Sequence, residues 1–277
     1  MGSLLGAAEI REIATRISVN PTKKLGQNFV VDANTCRRIV KIAGVQSEDI
    51  TLEVGPGLGS LTLALLEISR SVVAVEIDQR LADELQNTAQ SHGFESERLI
   101  VINEDALTTQ TLPVTPTVLV ANLPYNVSVP VLLHILEKFP SIRSGVVMVQ
   151  SEVADRLVAL PGSKTYGSPS VKATWWADLS SAGNVARQVF WPIPNVDSSL
   201  VRFVRHQAAG NESQRVLTFK VIDAAFAQRR KMLRSALSQL FNGQAETKIA
   251  QAGVDPTVRG ETLLLSDFMA IANTLEA

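Results

Sequence analysis

Cysteine occurs once in these 277 residues, as Cys36, which excludes a disulfide framework and a cysteine-based zinc site. Histidine is almost as scarce. His92, His134 and His206 stand far apart with no ligand spacing, so no metal is expected. No apolar run approaches the roughly 18 residues of a membrane-spanning helix, and no membrane association is expected. The opening MGSLLGAAEIREIATRIS has no basic start before its apolar stretch, and Glu9 and Glu12 interrupt it, so it does not read as a secretory signal. Met1-Gly2 begins a myristoylation pattern that needs Ser or Thr at position six, where this chain has Gly6. An excess of one charge is missing too: 26 basic against 27 acidic residues give a formal net charge of −1. With 45% hydrophobic residues, that balance excludes a mainly disordered chain. The expectation is a soluble protein of the reducing cytoplasm, monomeric by default, with one medium and one small domain.

What the sequence does contain is a series of continuous apolar runs rich in β-branched residues. ITLEV (50–54), VVAVE (72–76), LIVIN (99–103), TVLVA (117–121) and GVVMVQ (145–150) read as strands of a sheet covered on both faces. Helix signals fill the gaps. Asp32 can cap a helix that Gly44 ends, and Asp78 can cap a helix over 79–91 with Gly93 just beyond it. This alternation predicts an α/β fold with a mostly parallel, doubly wound sheet. SSLVRFVR (198–205) reads as a last strand, and the small, polar HQAAGNES (206–213) as a linker. Residues 214–277 hold only helical patterns. The division expected is therefore 1–206 and a small all-helical domain over 207–277.

LEVGPGLGSLTLALL sets Gly55, Gly57 and Gly59 between a strand and a helix, where glycines let a ligand approach the backbone. Twenty-one residues past Gly55, at the end of the next strand, Glu76 is placed to accept from ribose hydroxyls. Such an arrangement suits a nicotinamide dinucleotide or S-adenosylmethionine. The third glycine comes one residue earlier than in G-x-G-x-x-G, and Glu53 precedes the loop, as is common in enzymes that use S-adenosylmethionine. Asp105, in NEDAL after the third strand, can accept from the exocyclic amine of the cofactor's adenine or can cap a helix.

The fourth strand ends VANLPYNVS, giving Asn122-Leu123-Pro124-Tyr125. An amine on an aromatic base is a poor nucleophile, because its lone pair is delocalised into the ring. A carboxamide oxygen and a backbone carbonyl can bind its two N–H groups, localise the lone pair and aim it at a methyl group. A sulfonium is already a good leaving group, so orientation and electrostatics carry the reaction without a strong base. Pro124 offers a carbonyl but no N–H, and Tyr125 can stack on the base. The bland alternative is a strand-ending turn, for which Asn-x-Pro is a common former.

With these residues in view, the chain resembles the KsgA-type small-subunit rRNA adenine N6,N6-dimethyltransferases along nearly its whole length. KKLGQNFVVD (23–32) is similar to the family's amino-terminal signature, EVGPGLGSLT (53–62) to its cofactor loop, and Asn122 to Tyr125 to its catalytic motif. VFWPIPNVDSSLV (189–201) matches Phe-x-Pro-x-Pro-x-Val-x-Ser through Phe190, Pro192, Pro194, Val196 and Ser198. FAQRRKMLRSAL (226–237) looks like the basic helix of the family's carboxy-terminal domain. The resemblance implies a Rossmann-like S-adenosylmethionine-dependent methyltransferase domain, with residues 1–30 as an arm contributing to the cofactor site. It implies cofactor contacts at Asn28, Val30, Gly55, Gly57, Glu76, Asp105 and Asn122. Position 30 is usually Leu in the family, a mild departure. Asn122 and the Pro124 carbonyl would hold the target amine, with Tyr125 and Phe190 sandwiching the extruded adenine. The implied substrate is two adjacent adenines in a loop near the 3′ end of small-subunit rRNA, within a pre-ribosomal particle.

RNA binders are often strongly basic, whereas this chain has a pI near 6.3. Its charge is nonetheless clustered. Lys23, Lys24, Arg37, Arg38 and Lys41 lie early, and Arg229, Arg230, Lys231 and Arg234 lie late, the latter expected on one exposed helix of an RNA-docking domain. The Trp175-Trp176 pair reads as packing rather than a base platform. Three other functions stay in view: an erythromycin-resistance-type large-subunit rRNA methyltransferase, a non-catalytic assembly factor on the same fold, and a nicotinamide dehydrogenase. The loop spacing and the lack of a candidate His or Lys acid near a substrate site disfavour the last.

Overall fold

The computed structural model describes residues 4–20 and 28–275. They form two compact units. The first runs up to Ala154 and includes Ser180–Arg205. The second joins Asp155–Leu179 to the chain from His206 onward. The polar stretch at 206 does lie at a change of unit, but residues 155–179 group with the carboxy-terminal part, which a single division at 206/207 does not provide for.

In the first unit the strands β2 (Ile50–Val54), β3 (Ser71–Glu76), β4 (Leu99–Asn103), β5 (Val118–Asn122) and β6 (Ser144–Gln150) pair in parallel. The sheet order is β4-β3-β2-β5-β6-β9-β7, with β9 (Ser198–Arg205) antiparallel to β6 and β7 (Ala177–Val185) at the edge. A separate two-stranded pair joins β1 (Phe29–Val30) to β8 (Phe190–Trp191). The parallel strands are apolar throughout because both faces are covered; Leu52, Val73, Leu119 and Val147 are fully buried. β7 is polar and small, and no apolar run announces it.

The connecting helices start and stop where the sequence predicts. In α2 (Ala33–Ala43) the Asp32 carboxylate accepts the Thr35 N–H at 2.8 Å, and Gly44 closes the helix in the left-handed region. In α4 (Gln79–Ser91) Asp78 accepts the Arg80 N–H. With α1 (Ala7–Arg16), α3 (Ser60–Leu66) and α5 (Ser128–Lys138) they flank the sheet. β2 leads to β3 on one side, whereas β5 lies on the other, so the order reverses between β2 and β5. A crevice opens outside the carboxyl ends of strands at such a point.

α6 (Ser151–Leu157) spans the change of unit. The second unit is built from α7 (Ser168–Ala173), α8 (Glu212–Ala227), α9 (Leu233–Ala236), α10 (Ala245–Gln251) and α11 (Leu265–Asn273). Val221, Ile222, Leu233, Ile249 and Phe268 form its buried core. Trp175 and Trp176 are buried edge-on against Phe219, so they pack, as expected. Residues 206–211 are not a loose connector. The His206 and Ala209 N–H groups donate to the Trp176 and Trp175 carbonyls, and Asn211 caps α8.

Candidate active site

Glu76 ends β3 and is fixed from two sides. One carboxylate oxygen accepts the Gly57 N–H at 3.1 Å and the other the Asp78 N–H at 3.0 Å. Its own carbonyl accepts from Asn103 Nδ2. Burial raises its carboxyl above the usual range, and the two backbone donors oppose that rise. Gly57 has φ +59°, and a Cβ there would lie 2.8 Å from the Phe29 ring, so neither the backbone nor the space admits a side chain. Behind the loop, buried Glu53 accepts the Thr62 hydroxyl at 2.6 Å. Burial pushes its carboxyl up to about 8; the Thr62 bond opposes this and the nearby Glu76 adds to it.

Across the crevice, Asn122 ends β5. Its Nδ2 donates to the Asn28 carbonyl at 3.1 Å, while its Oδ1 is buried without a partner. The turn that follows is anchored by the Leu123 N–H on the Met148 carbonyl and by the Val127 N–H on the Pro124 carbonyl at 3.2 Å. A carbonyl keeps a second lone pair after one such bond. The Tyr125 hydroxyl lies 2.7 Å from Ser198 Oγ. Burial raises the Tyr125 phenol and the Ser198 bond opposes the rise.

Between these walls lies a cavity of about 180 Å³. A second buried atom without a partner, Ser60 Oγ, belongs to its lining. Among the described residues, no group of three or more His, Cys, Asp or Glu side chains is arranged to hold a metal ion.

Residues 19–277 match the family model for ribosomal RNA adenine dimethylase. The chain belongs to the ribosomal RNA adenine dimethylase family. It is 58% identical to the ribosomal RNA small subunit methyltransferase A of Leifsonia xyli subsp. xyli, over 97% of this chain and 98% of that one. It is 54% identical to the protein of the same name in Thermobifida fusca, over 97% and 95%. Among solved structures, a dimethyladenosine transferase from Plasmodium falciparum shares the fold with a TM-score of 0.74, at 23% identity, over 88% of this chain and 95% of that one. The 23S rRNA methyltransferase ErmE shares it at 0.65 and 24% identity, over 90% and 100%.

In this member of the family, Asn28, Val30, Gly55, Gly57, Glu76, Asp105, Asn122 and Pro124 all line the one cavity. Asp105 does two things. It faces the cavity, and its Oδ1 accepts the Leu107 N–H at the head of a turn rather than of a helix. Phe190 is 2% exposed in the core, opposite Val30 in the β1–β8 pair, and the cavity lining includes neither Phe190 nor Tyr125. Sequence reasoning missed Phe29 and Ile77. Ile77 is 55% exposed at the cavity; its position directly after Glu76 was the available signal.

The basic residues also sort differently from the expectation. Lys23 and Lys24 lie outside the described residues. Arg37 makes a two-pronged bond to Glu67, and Arg38 donates to the Asn184 carbonyl. Arg229, Arg230, Lys231 and Arg234 do not share one exposed helix: α8 stops at Ala227, the first three occupy a turn, and Arg234 lies in α9. Arg229 pairs with Glu261 at 3.0 Å and donates to the Lys164 carbonyl at 2.6 Å; Arg234 pairs with Glu246. Arg229 and Arg230 face a cleft of the second unit together with Lys164 and Arg259, four cations against the single carboxylate of Glu261.

Proposed function

We propose that this chain transfers methyl groups from S-adenosylmethionine to the N6 amines of two adjacent adenines in a loop near the 3′ end of small-subunit rRNA. It would act as a cytoplasmic monomer on a late pre-ribosomal particle. The observation that carries the reading is Asn122 Oδ1: a buried, unpartnered acceptor beside a cavity whose far wall holds a rigid carboxylate.

The residues present fit the cofactor. Glu76 offers two oriented oxygens to a ribose diol, side-chain-free Gly57 lets it approach the backbone, and Ser60 Oγ supplies an unused polar atom. S-adenosylmethionine supplies an electrophilic methyl group on a sulfonium. Asn122 Oδ1 and the free lone pair of the Pro124 carbonyl accept the two N–H groups of the target amine, which draws its lone pair out of the ring. Both acceptors stand on tied backbone, so little reorganisation is needed as charge develops. A singly methylated amine retains one N–H, so one acceptor still orients it for the second transfer. The released proton passes to water. Tyr125 lies against the face of the base, and Phe190 serves by holding β1, which carries Val30.

Arg229, Arg230, Lys231 and Arg234 are assigned to rRNA phosphates, with Arg230 foremost because it makes no ion pair among the described residues while sharing the basic cleft. The names of the relatives support small-subunit rRNA as the substrate. The test is incubation with labelled S-adenosylmethionine and unmethylated small subunits, followed by mapping of the methylated bases. Dimethylation of neighbouring adenines in the small subunit is expected. Methylation of large-subunit RNA alone would move the reading to the erythromycin-resistance type, and absence of transfer to an assembly factor.

A further inference from the structure

Ser198 is fully buried at the first position of β9, and its hydroxyl meets that of Tyr125 at 2.7 Å. The sheet explains the meeting. β9 runs antiparallel to β6, so Ser198 lies opposite Gln150 at the end of β6, on the same edge where β5 finishes at Asn122. Two strand spacings, roughly 10 Å, separate β5 from β9. A long ring with a terminal hydroxyl can bridge much of that gap and still find a bond; a phenylalanine ring would find none.

The anchor is rigid. The Ser151 N–H donates to the Asp197 carbonyl at 2.9 Å, Ser151 Oγ lies 2.7 Å from Ser199 Oγ, and Ser199 Oγ donates to Asn184 Oδ1 at 3.1 Å. Residues on both sides of Ser198 are therefore tied down. At the other end of the same segment, Phe190 and Trp191 pair with Val30 and Phe29, and the Val31 N–H donates to the Val189 carbonyl at 2.7 Å. One stretch of chain thus braces the Asn28–Val30 wall of the cavity and reaches the tyrosine that follows Pro124, a residue of the same lining.

We propose that Ser198 is a positioning residue for methyl transfer: its bond to the Tyr125 hydroxyl holds that ring beside Asn122 Oδ1 and the Pro124 carbonyl, as the face against which the target adenine lies. The inference rests on the adenine-methylating reading given above.

The test compares the wild type with Ser198→Ala, Tyr125→Phe, the double variant and Ser198→Thr, on unmethylated small subunits. Wild-type transfer to adenine comes first; its failure would refute the adenine-methylating reading, not the role of Ser198. A neutral hydrogen bond removed without leaving a charge behind is expected to lower kcat by about three- to tenfold. Ser198→Ala and Tyr125→Phe should show the same loss, and the double variant no greater loss than either alone, because they break one bond. Affinity for S-adenosylmethionine should stay near wild type. The melting temperature of each single variant should fall by a few degrees, because one buried hydroxyl is left unpaired. Ser198→Thr, which keeps a hydroxyl, should recover most of the rate. Wild-type kcat in Ser198→Ala, losses that multiply in the double variant, or a loss that tracks cofactor affinity would each overturn the proposal. If Ser198→Ala does not fold, Tyr125→Phe decides alone, since it breaks the bond without altering β9: unchanged kcat overturns it.

Discussion

The Asn122 carboxamide donates through Nδ2 to the Asn28 carbonyl at 3.1 Å, which commits the nitrogen and leaves Oδ1 buried with nothing to accept from. That bond fixes which end of the amide is left free at the cavity that Asn122 lines. Asn122→Ala removes the acceptor and is expected to lower kcat by about 10²–10³-fold, the usual effect of losing one fixed polar group at a reacting centre. Circular dichroism should be unchanged. Rapid-quench measurement of methyl transfer checks the rate, and turnover within a few-fold of wild type would remove Asn122 from the mechanism.

Glu76→Ala replaces a carboxylate held by two backbone donors with a site where both donors are left open. Hydrogen bonds involving a charged partner contribute about 1.5–3 kcal/mol, so S-adenosylmethionine should bind roughly 10- to 150-fold more weakly by calorimetry. Binding to small subunits without cofactor should be unaltered. Equal cofactor affinity would refute the ribose-binding role.

At Gly57 two costs coincide: a left-handed backbone, and a ring 2.8 Å from where a Cβ would stand. Gly57→Ala is expected to lower stability by at least about 1–2 kcal/mol for the backbone strain and to weaken cofactor binding by pushing on Phe29. Adding Phe29→Ala relieves only the second cost. Thermal melts and calorimetry on the three variants separate the two; a cofactor affinity that fails to recover in the double variant contradicts the steric part.

The strands that carry the site were legible because a covered parallel sheet demands continuous apolar runs, and 50–54, 72–76, 99–103, 117–121 and 145–150 are such runs. β7 was not. At the sheet edge most of its residues stay open to solvent, so A-D-L-S-S-A-G-N-V reads as turn. The two-residue β1–β8 pair was equally invisible, since its stability comes from the Phe29–Trp191 stack and a partner far along the chain. Residues 155–179 could not be given to the second unit from local pattern. Their ties are long-range, such as the Tyr166 hydroxyl on the Leu263 carbonyl 97 residues away. The late basic cluster looked helical because its periodicity is unbroken. The backbone leaves the helix because the Leu233 and Arg234 N–H groups donate to the Val258 and Pro256 carbonyls instead.

Glu53 gives a pH dependence whose sign can be worked out. Its carboxyl is raised from 4.5 to about 8 in the folded chain, chiefly by burial. Below pH about 4.5 it is protonated folded or unfolded and costs nothing. Between that pH and about 8 the folded state holds a proton the unfolded state has released, so this group's contribution to stability is progressively lost as pH rises. Glu53→Gln keeps an oxygen for Thr62 and cannot ionise. Urea denaturation without cofactor should therefore show the variant gaining on wild type as pH rises from about 4.5 to about 8, with no further gain above that. A constant difference across that range would mean that Glu53 is ionised in the folded protein.

The basic cleft of the second unit supplies the last expectation. Arg229 is already held by Glu261 and by the Lys164 carbonyl, and Arg234 by Glu246, so their charge is partly spent inside the protein. Arg230 and Arg259 line the cleft together with Lys164. Free cations that neutralise phosphates release condensed counterions, which makes affinity fall with salt in proportion to the number of phosphates neutralised. Changing Arg230 and Arg259 to Glu is expected to weaken binding to small subunits. It should also flatten the salt dependence, by about one unit of log–log slope for each phosphate left unneutralised. S-adenosylmethionine affinity should not change, because every residue lining its cavity lies in the first unit. Arg234→Glu should weaken subunit binding less than the Arg230/Arg259 pair does and also cost a little stability, since it sets a carboxylate against Glu246. Filter binding over a salt series separates the two effects. Wild-type affinity and slope in the Arg230/Arg259 variant would show that this cleft does not meet RNA, and the docking surface would then have to be sought around Arg38 and Lys41 on α2.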